Sequence, residues 1–275
     1  MRLLVLTDLD GTLLDHGSYD FSPALPMLRR LSACGVAVVP ATSKTAAEIG
    51  PLRESLGIAR WPAIVENGAA LFEAEAAPQD TAPRDAAPYA RLRAALAGLA
   101  APFRGFGDME PAEIAALTGL SLAEAGRARI RAHSEPGLWT GAPGALPAFL
   151  EALAARGIAA RQGGRFLTLS FGGTKADRIA ELVARYRPGA TVALGDAPND
   201  IEMLEACDHA IILRNDHGPG IAPLRAEPSD RIYRTRQQGP KGWAEGMSRL
   251  LARPEFADLA PSGAVRDQTD GETDG

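Results

Sequence analysis

Asp8 and Asp10 stand one residue apart where an apolar run ends, in LLVLTDLDGTLLD at residues 3–15. Asp196, Asn199 and Asp200 close a second such run in GDAPND at 195–200, and Thr42, Ser43 and Lys44 follow a third in ATSKT at 41–45. Lys175 opens a helical pattern just before the GDAPND strand. Carboxylates gathered at close range repel and shift one another's pKa unless a cation joins them. Oxygen ligands with no His or Cys at metal spacing favour Mg²⁺ over zinc. Lysine and hydroxyl groups beside such a site suit a phosphoryl group, whose oxygens they neutralise and orient. A carboxylate facing that phosphoryl can attack it, and a carboxyl two residues along an extended strand points the same way. That second carboxyl can protonate a leaving alcohol and later activate water.

These residues work together only if the fold brings them to one edge. Leu3–Leu9, Val36–Thr42 and Ala63–Glu66 read as continuous apolar strands, and helical patterns occupy the intervals between them. Such a rhythm predicts a doubly wound, mainly parallel α/β sheet, which binds ligands beyond the carboxyl ends of its strands. Ser22-Pro23 begins the first helix and Gly35 ends it; Thr45 to Leu56 forms the second, distorted by Pro51 and stopped by Gly57. The rhythm breaks in a Pro- and Ala-rich stretch at 76–88 and resumes at Lys175. Between them lies an α+β insert. It has helices around Leu92–Leu99, after Ser121 (a capping box with Glu124) and from Pro147 to Arg156, and a hairpin at 158–170. The expected organisation is a discontinuous core at 1–77 and 173–253, an inserted cap at 78–172 and a disordered tail at 254–275.

Composition narrows the classes. The 275 residues are 46% hydrophobic and 23% charged, with net charge -5, so nothing draws the chain to nucleic acid or an anionic membrane. No transmembrane run and no signal-peptide pattern occur, which points to a cytoplasmic protein. Cys34 and Cys207 form no disulfide framework and read as small core residues. Only three of the 29 basic residues are lysines, Lys44, Lys175 and Lys241, so each is a candidate for chemistry.

Asp8-Leu9-Asp10-Gly11-Thr12 resembles the first motif of the haloacid dehalogenase-like (HAD) phosphatases, Thr42 the second, Lys175 the third, and Gly195-Asp196 with Asn199-Asp200 the fourth. An insert between the second and third motifs is similar to the large cap of the Cof-type branch. This resemblance implies that Asp8 is the nucleophile and Asp10 the general acid/base. It also implies that Asp8, the Asp10 carbonyl and Asp196 bind Mg²⁺. Asn199 and Asp200 would help hold phosphate and metal, and Lys175 would bridge the phosphoryl group and Asp8.

Further strings resemble the mannosyl-3-phosphoglycerate phosphatases: TSKT (42–45), ENGA (66–69), GFGDM (105–109), LTGLSLAEA (117–125), RAHSEP (131–136), GGRF (163–166) and GPKGW (239–243). The expected partner is therefore a small phosphorylated glycoside. Arg131 and Arg165 become candidates for its carboxylate, and Ser134, Glu135 and Thr168 for its sugar. The alternatives are a phosphatase for glucosyl-3-phosphoglycerate or another sugar phosphate, a sugar-phosphate mutase, and a non-catalytic phospho-acceptor module. Asp10 argues against the last, because phospho-acceptance needs no acid/base.

Overall fold

The computed structural model describes residues 1–74, 87–163, 166–225, 227 and 229–259. The chain opens with β1 (Leu3–Thr7), α1 (Leu25–Ala33), β2 (Ala37–Pro40), α2 (Ala46–Leu56), β3 (Ala63–Val65) and β4 (Ala70–Phe72). The insert follows with α3 (Ala87–Ala97), β5 (Phe103–Gly105), α4 (Pro111–Thr118), α5 (Leu122–Ala128), β6 (Ser134–Trp139), α6 (Leu146–Ala154), β7 (Ala159–Gly163) and β8 (Phe166–Ser170). It ends with α7 (Lys175–Tyr186), β9 (Ala190–Gly195), α8 (Ile201–Ala206), β10 (His209–Arg214), β11 (Ile232–Gln238) and α9 (Gly239–Leu251).

The central sheet runs β11-β10-β9-β1-β2, with every pairing parallel. Its strands are apolar on both faces because both are covered. Leu3 and Val5 pack with Leu28 of α1, Ile49 of α2 and Trp243 of α9. Leu4 and Leu6 pack with Ile179 of α7 and Met203 of α8. This is the α/β class expected. Thr45 caps α2 in a capping box with Glu48, and Gly57 ends that helix in the left-handed conformation.

Three local expectations need correction, and one helix had no expectation to correct. The third apolar run is not a full member of the central sheet; β3 pairs antiparallel with β4 and meets the sheet edge only through one parallel bridge, Ala41–Ile64. Three consecutive left-handed residues, Glu66, Asn67 and Gly68, reverse the chain directly after Val65. Disorder from residue 254 is not what the structure has at its start: Pro254–Leu259 form a 3-10 helix whose Phe256 and Leu259 are buried in the core. Residues 260–275 lie outside the described residues. Cys207 is buried, whereas Cys34 ends α1 at the surface. Finally, α9 escapes sequence patterning because Gly239, Pro240, Gly242 and Gly246 weaken any helical signal. Packing explains them: a Cβ on Gly246 would lie 2.4 Å from Ile211, and one on Gly242 2.3 Å from the Gln237 carbonyl.

The insert contains an antiparallel sheet, β5-β6-β8-β7. Leu92 of α3 and Phe149 and Leu153 of α6 cover one face with Leu167 and Leu169. On the other, Ile114 of α4 and Ala125 of α5 pack with Phe106, beside Leu138 and Phe166. The rest of that second face, Pro136, Thr168 and Arg161, opens on a cleft of about 530 Å³ shared with the parallel sheet's carboxyl edge.

Candidate active site

The parallel register sets the site. β1 and β9 are neighbours, so Asp8 and Asp196 leave the sheet side by side, and Asp8 N–H still donates to the Leu194 carbonyl at 2.9 Å. Beyond Asp8 the chain turns tightly, with Thr12 and Leu14 N–H both donating to the Leu9 carbonyl. Gly11 has φ +83°, and a Cβ there would lie 2.7 Å from Asp196 Oδ2, so only glycine fits this close approach. From the far side, Trp243 Nε1 donates to Thr7 Oγ1 at 3.0 Å, and Thr7 Oγ1 donates to the Asp8 carbonyl at 2.7 Å. The GPKGW string thus buttresses the strand end that carries Asp8.

Lys175 sits at the first turn of α7 and is buried. Its ammonium lies 3.0 Å from Asp8 Oδ1 and 2.7 Å from Asp200 Oδ1. Asp200 Oδ2 accepts the backbone N–H groups of Asp196 and Ala197, each at 3.2 Å, which closes the loop after β9. Asp196 is held through both oxygens, by Thr12 Oγ1 at 2.7 Å and Asn215 Nδ2 at 2.7 Å. Asn215, just past β10, went unnoticed in the sequence; polar residues after that strand, like those after β1 and β9, were its signal.

These carboxylates lie in a poorly hydrated, mutually repulsive setting. Burial and the charge of Asp200 raise Asp8 well above the usual carboxylate range, against the pull of Lys175. Burial likewise brings Asp196 to about 6. Burial alone would lower Lys175, but the charges of Asp200 and Asp8 outweigh it and raise it. Asp8, Asp196 and Asp200 each offer an oxygen within 4.8 Å of the others. All three are buried and offer only oxygen, a donor set that fits a hard divalent cation. Asp200 has both oxygens engaged, by Lys175 and by backbone N–H groups, which places it as a brace for the other two.

A profile of the haloacid dehalogenase-like hydrolases matches residues 5–88 and 158–219, more than half of the chain. The chain belongs to this family. Solved structures agree on the fold. A Thermoplasma acidophilum protein aligns at TM-score 0.64 and 16% identity over 90% of this hydrolase and 98% of its own chain. Sucrose-phosphatase from Synechocystis sp. PCC6803, solved with sucrose and phosphate, aligns at TM-score 0.59 and 16% identity over 90% and 98%. A haloalkanoate-superfamily phosphatase from Bacteroides thetaiotaomicron aligns at TM-score 0.62 and 19% identity over 91% and 94%.

Around the acidic centre, the hydrolase arranges the other sequence candidates unequally. Lys44 Nζ lies 3.0 Å from Asp10 Oδ1, beneath the ring of Tyr19 at 5.2 Å. Burial opposes the charge on Lys44, but Asp10 and Glu48 outweigh it and raise its pKa. Thr42 is buried and accepts the Lys44 N–H at 3.1 Å, while Ser43 and Asn199 are exposed on the cleft wall. Thr168 faces the cleft from β8.

Ser134 and Glu135 do not reach the cleft; both are fully buried. Glu135 accepts from Tyr89 Oη at 2.7 Å, Arg93 Nη1 at 3.0 Å and Gly107 N–H at 3.1 Å. Ser134 Oγ donates to Glu66 Oε2 at 2.7 Å and accepts from Arg131 Nη2 at 2.6 Å. Arg131 lines the cleft but is buried, with Nε 3.4 Å from Glu66. The RAHSEP string therefore serves chiefly as an anchor between insert and core. Arg165 lies outside the described residues.

Glu66 is the centre of that anchor. It also accepts N–H bonds from Ala132 at 3.0 Å, His133 at 3.2 Å and Ser134 at 2.7 Å. Burial opposes its charge, yet Arg131 and these donors hold its carboxyl below the usual value. Sequence reading saw ENGA only as a string; nothing local shows that its glutamate reaches residues 66 to 68 positions away.

Proposed function

We propose that this chain is a phosphomonoester hydrolase working through an aspartyl-phosphate on Asp8, with mannosyl-3-phosphoglycerate as its substrate. The observation that carries this is the buried Lys175 ammonium held between Asp8 and Asp200 beside Asp196. Such a site holds a carboxylate nucleophile in fixed orientation with a cation ready for phosphoryl oxygens.

Asp8 Oδ1 is tied to Lys175, and among the described residues no hydrogen bond is made to Oδ2. The free oxygen attacks phosphorus as the ester P–O bond breaks. Asp10 gives its proton to the departing alkoxide, takes a proton from water, and the resulting hydroxide displaces Asp8 from phosphorus. Lys44 fixes the direction of the Asp10 carboxyl for both transfers. Asp8 and Asp196, with the Asp10 carbonyl, would hold Mg²⁺, braced by Asp200. When bound, the ion neutralises the carboxylates and polarises the phosphoryl oxygens. Thr42 and Asn199 would hold phosphate oxygens, with Ser43 beside them. The insert, taken as a cap over 78–172, would select the ester through groups such as Thr168.

The substrate reading rests on the family strings and on the charged side chains, such as Lys44 and Arg161, that line the cleft. The Synechocystis neighbour, a sucrose-phosphatase, supports a sugar phosphate more broadly. The experiment is phosphate release by the purified chain with Mg²⁺ from mannosyl-3-phosphoglycerate, glucosyl-3-phosphoglycerate, sucrose-phosphate and p-nitrophenyl phosphate, with Asp8→Asn as control. The first substrate is expected to give the highest kcat/KM. Preference for another sugar phosphate would overturn the substrate but keep the chemistry; release unaffected by Asp8→Asn would overturn the chemistry.

A further inference from the structure

We propose that Arg161 reads a second anionic group on the substrate, a carboxylate, and that Glu202, across the cleft, is the weak contact this carboxylate displaces. The inference rests on the phosphatase reading and deepens it. Four basic side chains among the described residues line the cleft: Lys44, Arg131, Arg161 and Lys175. Three are closely engaged. Lys175 is shared by Asp8 and Asp200, Lys44 faces Asp10 at 3.0 Å, and Arg131 is buried against Glu66 and Ser134. Arg161 differs. Its one ion pair among the described residues is to Glu202 Oε2 at 3.8 Å, beyond hydrogen-bond distance. Both partners are about half exposed, and such pairs contribute little to stability.

The position is built for recognition. Arg161 pairs with Thr168 across β7 and β8, and Thr168 with Pro136 across β8 and β6. This row of three lines the cleft from the insert's sheet, so Arg161 projects into it from a strand paired with β8. Glu202 belongs to α8, on the core side of the same cleft, three residues beyond Asn199. A phosphate seated at Asp8 and Lys175 would leave the rest of its ester in the cleft that Arg161 also lines. Guanidinium binds carboxylate through two parallel N–H donors, and a substrate carboxylate would displace the longer contact to Glu202.

The test uses two probes that share a phosphate and differ in the carboxylate: 3-phosphoglycerate and glycerol 3-phosphate. Binding is measured by calorimetry with Mg²⁺ on the full chain carrying Asp8→Asn, which prevents turnover. The parent should prefer 3-phosphoglycerate. Adding Arg161→Ala should weaken 3-phosphoglycerate about tenfold or more and glycerol 3-phosphate by less than about threefold. Arg161→Lys should keep part of the preference, and Glu202→Gln should tighten 3-phosphoglycerate by removing a competitor. Equal losses on both probes, no loss on either, or no preference in the parent would each overturn the proposal. Wild-type turnover of mannosyl-3-phosphoglycerate is measured in parallel. If turnover is absent while the Arg161-dependent preference persists, the substrate reading fails and the subsite stands. If turnover is present and Arg161→Ala leaves the preference intact, the subsite alone fails.

Discussion

The ammonium of Lys175 lies 3.0 Å from Asp8 Oδ1, and both side chains are withdrawn from solvent. Asp8→Asn keeps the shape of the site but removes the attacking charge. We expect kcat to fall by about 10³-fold or more, as when a nucleophile is removed elsewhere. Burial already disfavours the Asp8 carboxylate, so thermal stability should be unchanged or higher. Steady-state rates and a melting curve on the same preparation check both, and a folded variant with substantial turnover would remove Asp8 from its role.

Lys175→Met tests the other partner. It leaves Asp8 and Asp200 buried without their cation, which should cost about 3–5 kcal/mol in the metal-free protein. Added Mg²⁺ should recover part of this by neutralising the same carboxylates. Urea unfolding with and without Mg²⁺ measures the difference; equal losses in both conditions would mean that the ion does not share this charge cluster.

Asp196, brought by burial to about 6, sets a pH dependence for metal binding. Its pKa is raised in the fold, so the native protein holds this proton more tightly than the unfolded chain. In the metal-free protein its contribution favours folding below its unfolded value and is lost as pH rises through about 6. A metal must displace the proton, so Mg²⁺ affinity should fall as pH drops below this range, about tenfold per unit for one coupled proton. Calorimetric Mg²⁺ titrations across this range give the slope, and EDTA should abolish phosphate release at neutral pH. A flat slope or full activity in EDTA would count against the carboxylate metal site.

Glu66 anchors the insert with its pKa shifted the opposite way. Its folded pKa is lowered, so its contribution is fully present above the unfolded value of 4.5 and is lost as pH falls through the folded one. Glu66→Ala strands Arg131 as an uncompensated buried charge and should cost about 3–5 kcal/mol near neutral pH. Denaturant unfolding of wild type and variant should show this gap narrowing in acid. A gap independent of pH would show that the loss is one of packing alone.

The insert is proposed to move against the core as a cap, because the phosphoryl step gains from excluding water while hydrolysis needs it. Solution scattering with and without Mg²⁺ and a phosphate-mimicking oxyanion should show compaction on binding; identical curves would argue for a fixed cleft.

The local chemistry was legible because it is written in short, contiguous runs. Apolar strands ending in DLDGT, ATSKT and GDAPND, helices bounded by Thr45 and Gly57, and a broken βα rhythm were enough to set the α/β class and to gather Asp8, Asp10, Thr42, Lys175, Asp196 and Asp200 at one edge. A parallel sheet makes that step short, since every strand delivers its last residue to the same side. What the tertiary structure alone decided is how side chains distant in sequence pair. Glu66 claims Arg131 and Ser134 for an anchor, Glu135 turns to Tyr89 and Arg93, and Asn215 braces Asp196. Likewise α9 reaches β1 through Trp243 and packs on β10 and β11 through glycines that patterning reads as breaks. Residue type tells which interactions a side chain can make, but burial and long-range register choose among them. That is why, among the arginines described, Arg131 is spent on the scaffold while Arg161 faces the cleft.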